Sequence, residues 1–157
     1  LPFYFDLFID KIKENLETTL EMLLKRKNGQ VEYEVKVNDE NEYIRTDFEK
    51  VTMILKNLVE NGIIYNISKT PCVKIKIEEE SDRYTFKVSD NGIGIPLGEQ
   101  YKVFDRFYRV DKARTSNLGG TGLGLAIVKN LVEKCGGKIS ITSEENKGTI
   151  FEFYVMK

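Results

Sequence analysis

The spacing of apolar residues changes its period along the chain, and this change constrains the fold more than any other feature of the sequence. Three segments repeat apolar residues every three or four positions, as amphipathic helices do. We predict these helices near residues 5–27, 47–65 and 123–135, with Asp47 as the N-cap of the second, and a further helical turn at residues 100–104. Alternating apolar and polar residues predict strands at 31–37, 43–45, 73–77, 84–88, 138–142 and 149–155. Helices and strands come in groups rather than in strict βαβ alternation, so the predicted class is α+β.

Length and composition limit the classes of protein to which the chain can belong. Its 157 residues fit a single domain, and the start at Leu1 without a methionine suggests a piece of a longer protein. With 24 basic and 25 acidic residues, the chain lacks the excess of positive charge that would indicate nucleic-acid binding. The two cysteines, Cys72 and Cys135, lack a metal-site spacing and are expected to be small buried side chains. The absence of histidine excludes a histidine nucleophile or phosphoacceptor within these residues.

Two asparagines interrupt the apolar stripe of the second predicted helix. Asn57 and Asn61 lie among Leu55, Leu58 and Ile63. Residues four apart are about 40° apart around a helix, so both amides lie on one face. A primary amide is costly in an apolar environment unless it has a hydrogen-bond partner. The pair therefore indicates that this helix face holds a polar group.

A glycine-containing stretch, SDNGIGIP at residues 89–96, follows a predicted strand. Asp-Asn-Gly is common in hairpin turns, but no clear partner strand follows at once, and Gly94 adds a second glycine that a tight turn does not need. Glycine lets the backbone approach a flat ligand closely. A carboxylate at the strand end, Asp90, could accept a hydrogen bond from an exocyclic amine.

A second glycine stretch, GGTGLGLAIVK at residues 119–129, leads into the third predicted helix. Exposed amides at a helix N-terminus favour anions. The P-loop motif fails because Leu125 and Ala126 follow Gly124 where Lys-Ser/Thr is required, and the dinucleotide motif fails because its third glycine falls on Leu125. On this stretch alone, a phosphate site and a mobile loop capped by Thr121 are equal alternatives.

Taken together and in order, four stretches resemble the conserved boxes of sensor histidine kinases. NLVENGIIY resembles the N box, DNGIGIP the first glycine box, FDRFYRVD the F box and GGTGLGLAIVK the second glycine box. These kinases belong to the ATPase superfamily that includes gyrase, MutL and the Hsp90 chaperone. The resemblance covers nearly the whole chain. It implies a two-layer α+β sandwich, in which a mixed, mostly antiparallel sheet is covered on one face by three helices.

The resemblance also implies ATP and Mg²⁺ as cofactors and gives roles to particular residues. Asn61 resembles the magnesium ligand, Asn57 supports the phosphates or metal, and Arg109 resembles the arginine that reaches the γ-phosphate. Arg109 and Asn57 are therefore the candidate catalytic residues. Tyr65 resembles the residue that lies along adenine. The full set expected to contact the nucleotide is Asn57, Asn61, Tyr65, Asp90, Gly92, Gly94, Ile95, Thr121, Gly122, Leu123, Gly124 and Leu125.

The residue four positions before the metal-ligating asparagine indicates whether the γ-phosphoryl group of ATP is transferred to another group or hydrolysed by water. In the gyrase, MutL and Hsp90 relatives it is a glutamate that activates water. Here it is Asn57, and an amide cannot accept a proton at neutral pH. Glu60 is a poor substitute because it lies about 60° away around the helix. The implied function is the ATP-binding domain of a two-component sensor histidine kinase, which transfers the γ-phosphoryl group to a histidine on a separate hairpin domain.

The resemblance implies two protein partners and a location. The partners are the histidine-bearing dimerisation domain of the same parent protein and the receiver domain of a response regulator, with no nucleic acid. The domain would be cytoplasmic, with the parent protein anchored in the cell membrane through a part before Leu1. Ile64 departs from the family pattern, because many members carry lysine or arginine there. This departure leaves a nucleotide-binding pseudokinase open as an alternative. The superfamily leaves open a second one, a serine kinase of the anti-sigma type.

Overall fold

The structure is a computed structural model that describes residues 5–108 and 124–157. Its elements follow in the order β1 (Phe5–Phe8), α1 (Ile9–Lys27), β2 (Gln30–Lys36), β3 (Tyr43–Thr46), α2 (Phe48–Ile64), β4 (Cys72–Glu79), β5 (Arg83–Asp90), a 3-10 helix (Leu97–Lys102), α3 (Gly124–Lys134), β6 (Ile139–Glu144) and β7 (Gly148–Met156). Within these two ranges, no helix is both long enough and apolar enough to cross a bilayer.

Five strands form one sheet in the order β2-β4-β5-β7-β6. β2 pairs parallel with β4, and the connection between these two neighbours contains β3 and α2. The other three pairings are antiparallel. The sheet is therefore mixed and mostly antiparallel, as the sequence predicts, and the α+β two-layer sandwich is confirmed.

The core lies between one face of this sheet and the three helices. β4 and β5 bury every second side chain, as alternation along a pleated strand requires. Phe86 of β5 and Phe153 of β7 stack at the centre with ring centroids 4.8 Å apart. The helices contribute the apolar stripes that define them in the sequence, among them Ile12, Leu16, Leu20, Val51, Ile54, Leu55, Leu58, Val128 and Val132.

The first helix begins later than its apolar spacing predicts. Phe5 and Phe8, predicted as part of it, lie in β1, which pairs antiparallel with β3 in a separate two-stranded sheet. Phe8 has an extended backbone and precedes α1, while the Ile9 N–H donates to the Glu42 carbonyl oxygen at 2.9 Å. Spacing alone could not find this boundary, because the partner strand β3 lies more than thirty residues further along the chain.

Two smaller predictions also need correction. The 3-10 helix at Leu97–Lys102 begins before the helical turn predicted for residues 100–104. Cys72 and Cys135 are half-buried rather than buried, because Cys72 begins β4 and Cys135 immediately follows α3. By contrast, the predicted N-cap of α2 is confirmed, since the Asp47 side chain accepts a hydrogen bond from the Lys50 N–H at 3.1 Å. This cap fixes the start of the helix that carries both asparagines.

Candidate functional site

The C-terminal turns of α2 meet the end of β5 at one edge of the core. Gly62 of α2 lies directly against Asp90, the last residue of β5: a Cβ atom on Gly62 would be 2.9 Å from the Asp90 Cβ and 2.8 Å from the Val73 Cγ2. Real Cβ atoms do not approach so closely, so glycine allows the helix and strand to touch. The turn of α2 that carries Asn61, Gly62 and Ile63 thereby lies next to the end of β5.

The Asp90 carboxylate is half-buried, and among the described residues only its Oδ1 accepts hydrogen bonds. Its Oδ1 accepts hydrogen bonds from the Gly92 N–H at 2.9 Å and the Thr149 N–H at 3.2 Å. No residue within the described ranges donates to Oδ2, which faces Gly62. Burial raises the pKa of Asp90 to about 6, although the two backbone donors oppose the rise. An accessible carboxylate oxygen to which no described residue donates is suited to a donor from a ligand.

The two glycines after Asp90 are packed against protein backbone. A Cβ on Gly92 would lie 2.5 Å from the Tyr65 carbonyl oxygen. Gly94 has a φ of +71°, and its missing side chain faces the Glu144 carbonyl oxygen in the β6–β7 turn. These contacts give Gly92 and Gly94 a reason to be glycine that is separate from the expected approach of a flat ligand.

The loop after Asp90 is fastened on two sides. On the α2 side, the Ile93 N–H donates to the Tyr65 carbonyl oxygen at 3.0 Å, and the Tyr65 N–H donates to the Asn61 carbonyl oxygen at 3.0 Å. On the β6 side, the Ile95 N–H donates to the Ser143 Oγ at 2.8 Å. Tyr65, Asp90, Gly92 and Ile95, all predicted site residues, are thus brought together.

Asn57, which lies on α2, faces the first turn of α3. Its Nδ2 donates to the Met53 carbonyl oxygen at 2.9 Å, one turn earlier in the same helix. Its Oδ1 faces Gly124, where a Cβ would be 3.3 Å away. Leu125 follows and packs against the core. The structure therefore brings Asn57 of the N box to the end of the second glycine stretch.

Three further residues on α2 lie near its surface. Asn61 and Ile64 are half-buried. Glu60 forms an ion pair with Lys56, one turn earlier, with the Lys56 Nζ and the Glu60 Oε2 3.4 Å apart.

Several predicted site residues cannot be located. Arg109, Thr121, Gly122 and Leu123 lie outside the described residues. In the part of the chain that the structure describes, no three Cys, Asp or Glu side chains cluster as a metal site. The side-chain oxygens that α2 places here are those of the Asn57 and Asn61 amides, a ligand type that Mg²⁺ accepts.

Sequence reasoning missed a pair of amides that joins α2 to β5. Asn66 is 3% exposed, and its Nδ2 donates to the Gly62 carbonyl oxygen at 3.0 Å and to the Asn91 Oδ1 at 2.8 Å. The Asn91 Oδ1 also accepts from the Cys72 N–H at 2.8 Å. Asn66 follows Tyr65, and Asn91 follows Asp90, so this pair fixes both segments. Their adjacency to predicted site residues is the one signal that could have found them.

Comparison with known proteins assigns the class of protein that this fold and site define. The chain belongs to the family of histidine kinase-, DNA gyrase B- and HSP90-like ATPases, whose model matches residues 46–157. The matched range contains α2, β5 and α3, and hence every predicted site residue. The predicted family is confirmed.

Individual relatives narrow this class to sensor histidine kinases. The chain is 44% identical over 128 residues to the sensor histidine kinase WalK of Bacillus subtilis, a match that covers 81% of this chain and 21% of that protein. The chain thus spans about a fifth of the length of the curated relatives it matches. These relatives do not favour the pseudokinase or the anti-sigma serine kinase.

Solved structures agree on the fold. The catalytic domain of the histidine kinase ThkA, in a nucleotide-free form, has a TM-score of 0.75 at 24% identity and covers 99% of this chain and 98% of its own. Full-length ShkA, solved in complex with AMPPNP, has a TM-score of 0.78 at 22% identity and covers 97% of this chain and 30% of its own. The architecture of the ATPase domain is therefore preserved at low sequence identity.

Proposed function

We propose that the chain binds ATP with Mg²⁺ and transfers the γ-phosphoryl group to a histidine on a separate dimerisation hairpin of the same parent protein. The observation that carries this proposal is Oδ2 of the half-buried Asp90 carboxylate, to which no described residue donates a hydrogen bond. It lies where α2 and β5 touch through Gly62, within a fold that ShkA shares, and ShkA was solved with AMPPNP.

At the base end, the chain supplies a fixed acceptor. Two backbone N–H groups hold Oδ1 of Asp90, which leaves Oδ2 for the exocyclic amine of adenine. Tyr65 is adjacent, because its carbonyl oxygen accepts from Ile93 and contacts Gly92. A base that carries a carbonyl in place of this amine would face a carboxylate oxygen with no proton between them, so the site favours adenine.

At the phosphate end, the chain supplies amides. Asn61 would be the Mg²⁺ ligand, with Asn57 beside it and the N-terminal turn of α3, Gly124 and Leu125, available to phosphate. Arg109, with Thr121, Gly122 and Leu123, would complete this end. The metal ion would neutralise negative charge on the phosphate oxygens. Because Asn57 cannot accept a proton from water, these residues favour transfer over hydrolysis.

The acceptor is expected on another domain, because the chain contains no histidine. In the transfer, an imidazole nitrogen forms a bond to the γ-phosphorus while the bond from that phosphorus to the β–γ bridging oxygen breaks, and ADP leaves. The phosphoryl group would then pass to a receiver domain of a response regulator. The relatives are named sensor histidine kinases or sensor protein kinases, and we further propose a cytoplasmic domain of a membrane-anchored parent.

Reconstitution with the separate hairpin tests this function. The chain is mixed with ATP, Mg²⁺ and the histidine hairpin of its parent, and acid-labile phosphate on the hairpin is measured. We expect phosphohistidine with the hairpin and none when the hairpin histidine is replaced by alanine. Binding of nucleotide with no transfer in either case would contradict the kinase assignment and leave a nucleotide-binding module.

A further inference from the structure

Two side chains outside the predicted site fasten the loop after Asp90 to the β6–β7 hairpin. Gln100 of the 3-10 helix donates through Nε2 to the Ile95 carbonyl oxygen at 3.0 Å and to the Ser143 carbonyl oxygen at 2.9 Å. The Ser143 Oγ accepts from the Ile95 N–H at 2.8 Å. We call Gln100 and Ser143 the clasp. Both polar backbone groups of Ile95 are satisfied by it.

The clasp continues to the Asp90 carboxylate through Thr149. The Ser143 Oγ lies 2.8 Å from the Thr149 Oγ1 and 3.0 Å from the Gly148 carbonyl oxygen. Thr149 is 6% exposed, and its N–H donates to Oδ1 of Asp90 at 3.2 Å. A series of hydrogen-bonded residues therefore connects Gln100 to the Asp90 carboxylate. The intermediate residues are Ile95, Ser143 and Thr149.

Other contacts between this loop and the hairpin are made by backbone atoms. The Asn146 N–H donates to the Ile93 carbonyl oxygen at 2.7 Å. Gly94 faces the Glu144 carbonyl oxygen, and Gly148, with a φ of +119°, faces the Asp90 carbonyl oxygen. Backbone contacts do not depend on side-chain chemistry. The clasp is thus the part of this attachment that a substitution can release while the backbone contacts stay.

We propose that Gln100 and Ser143 are positioning residues for base recognition: the clasp holds Thr149 on Oδ1 of Asp90 and so keeps Oδ2 as the acceptor for the adenine amine. This inference rests on the proposed function. Neither residue touches the base; both act through Ile95 and Thr149. The chemistry matches the role, because a primary amide provides the two N–H donors that two carbonyl oxygens require, and leucine or glutamate at position 100 would provide none at neutral pH.

The test compares the affinity for ADP with that for IDP, which carries a carbonyl in place of the adenine amine. Both are measured by calorimetry with Mg²⁺ at pH 8, where Asp90 is ionised. In the Gln100→Leu and Ser143→Ala variants, we expect the ADP preference to fall about five- to tenfold, as loss of one or two hydrogen bonds implies. Ser143→Thr, which keeps the hydroxyl, should retain the preference.

Ser140→Ala is the matched control for Ser143→Ala, because Ser140 lies on the same strand and is exposed, with its Oγ 3.5 Å from the Glu152 carbonyl oxygen. A purely structural role would lower the affinities for ADP and IDP together and leave their ratio unchanged, which would overturn the inference. If Gln100→Leu does not fold, the Ser143 variants decide alone.

Failure of the inference and failure of the proposed function give different results. An unsubstituted chain that prefers ADP, together with clasp variants that keep the full preference, overturns the inference and leaves the function intact. An unsubstituted chain that binds ADP and IDP equally, or binds neither, overturns the proposed recognition of adenine and the role of the clasp with it.

Discussion

The two ends of the candidate site are built differently. At the base end, Asp90 receives hydrogen bonds from its own loop and from β7, and Gly62 of α2 packs against it. At the phosphate end, the hydrogen bond that the structure shows from the Asn57 side chain goes to Met53 of its own helix. Several elements hold the carboxylate at the base end, whereas the side-chain amide of Asn57 at the phosphate end is held within its own helix.

This difference separates a preformed site from one that a ligand must organise. Contacts among α2, β5 and β7 fix the base end before any nucleotide is present. Binding at this end therefore costs little additional conformational entropy. We expect the amide oxygens at the phosphate end to gain further partners when metal and phosphates bind. We therefore expect substitutions at the base end to alter both stability and specificity, and substitutions at the phosphate end to alter metal-dependent binding alone.

Asp90→Asn should have the largest effect. The amide can keep an oxygen on the Gly92 and Thr149 donors, which turns its NH₂ group toward the adenine amine. We expect ADP binding about a hundredfold weaker, because a hydrogen bond to a charged group is replaced by two opposed donors. Calorimetry with ADP and IDP checks this, and a smaller loss for IDP is expected. Equal loss for both bases would place the carboxylate away from the base.

The same variant tests the pH dependence of stability. The pKa of Asp90 is raised from 3.8 to about 6, so between these values the folded chain binds more protons than the unfolded chain. This group therefore lowers the free energy of unfolding as the pH rises through that window, by on the order of 2 kcal/mol. Urea unfolding at pH 4 and pH 7 should show this loss in the unsubstituted chain and not in Asp90→Asn.

Asn61→Ala should have the next largest effect and should act on the phosphate end only. Loss of a metal ligand is expected to weaken nucleotide binding about tenfold in the presence of Mg²⁺. The matched measurement in EDTA should show little difference between the variant and the unsubstituted chain. Equal weakening in both conditions would show that Asn61 contacts the nucleotide without a metal and would make the two ends more alike.

Gly62→Ala tests how tightly the base end is packed. The added methyl group would lie 2.8 Å from the Val73 Cγ2 and 2.9 Å from the Asp90 Cβ, so the helix must move away from the strand. We expect a net loss of about 1 kcal/mol in the free energy of unfolding, since the better helix propensity of alanine offsets part of the strain. Gly98→Ala is the matched control, because no atom lies within 4 Å of its added methyl group. Equal denaturation midpoints would refute tight packing.

Ile64→Lys should have the smallest effect and should strengthen the phosphate end. Many family members carry a basic residue there, and Ile64 is half-buried on the same helix as Asn57 and Asn61. A lysine that reaches the phosphates is expected to improve ATP affinity about threefold, because solvent screens a partly exposed charge. Adenosine binding, measured in parallel, should not change. An equal gain for adenosine would point to an effect outside the phosphate end.

Local patterns in the sequence predicted most of the sheet and all three helices. Alternation identified β4 and β5, and the carboxylate at the end of β5 could be singled out from its neighbours Asn91 and Gly92. β1 was missed because a four-residue strand with Phe5 and Phe8 at its ends has the same apolar spacing as a helix.

The parts of the site that could not be predicted depend on residues far apart in the chain. Thr149 donates to Asp90 across 59 positions, and Gln100 donates to Ser143 across 43. No spacing rule connects such pairs, because the sheet order β5-β7-β6 brings them together only after folding. The sequence thus predicted the side chains that are expected to carry the chemistry. It did not predict the side chains that hold them in place.

The parallel pairing of β2 with β4 has a consequence for the order of folding. β4 and β5 are joined by a short turn, whereas β2 can reach β4 only after a loop of roughly 40 residues, with α2 inside it, has closed. Such long-range closure is slow. In pulse-labelled refolding, we therefore expect amides of β2 to acquire protection after those of the β4–β5 hairpin.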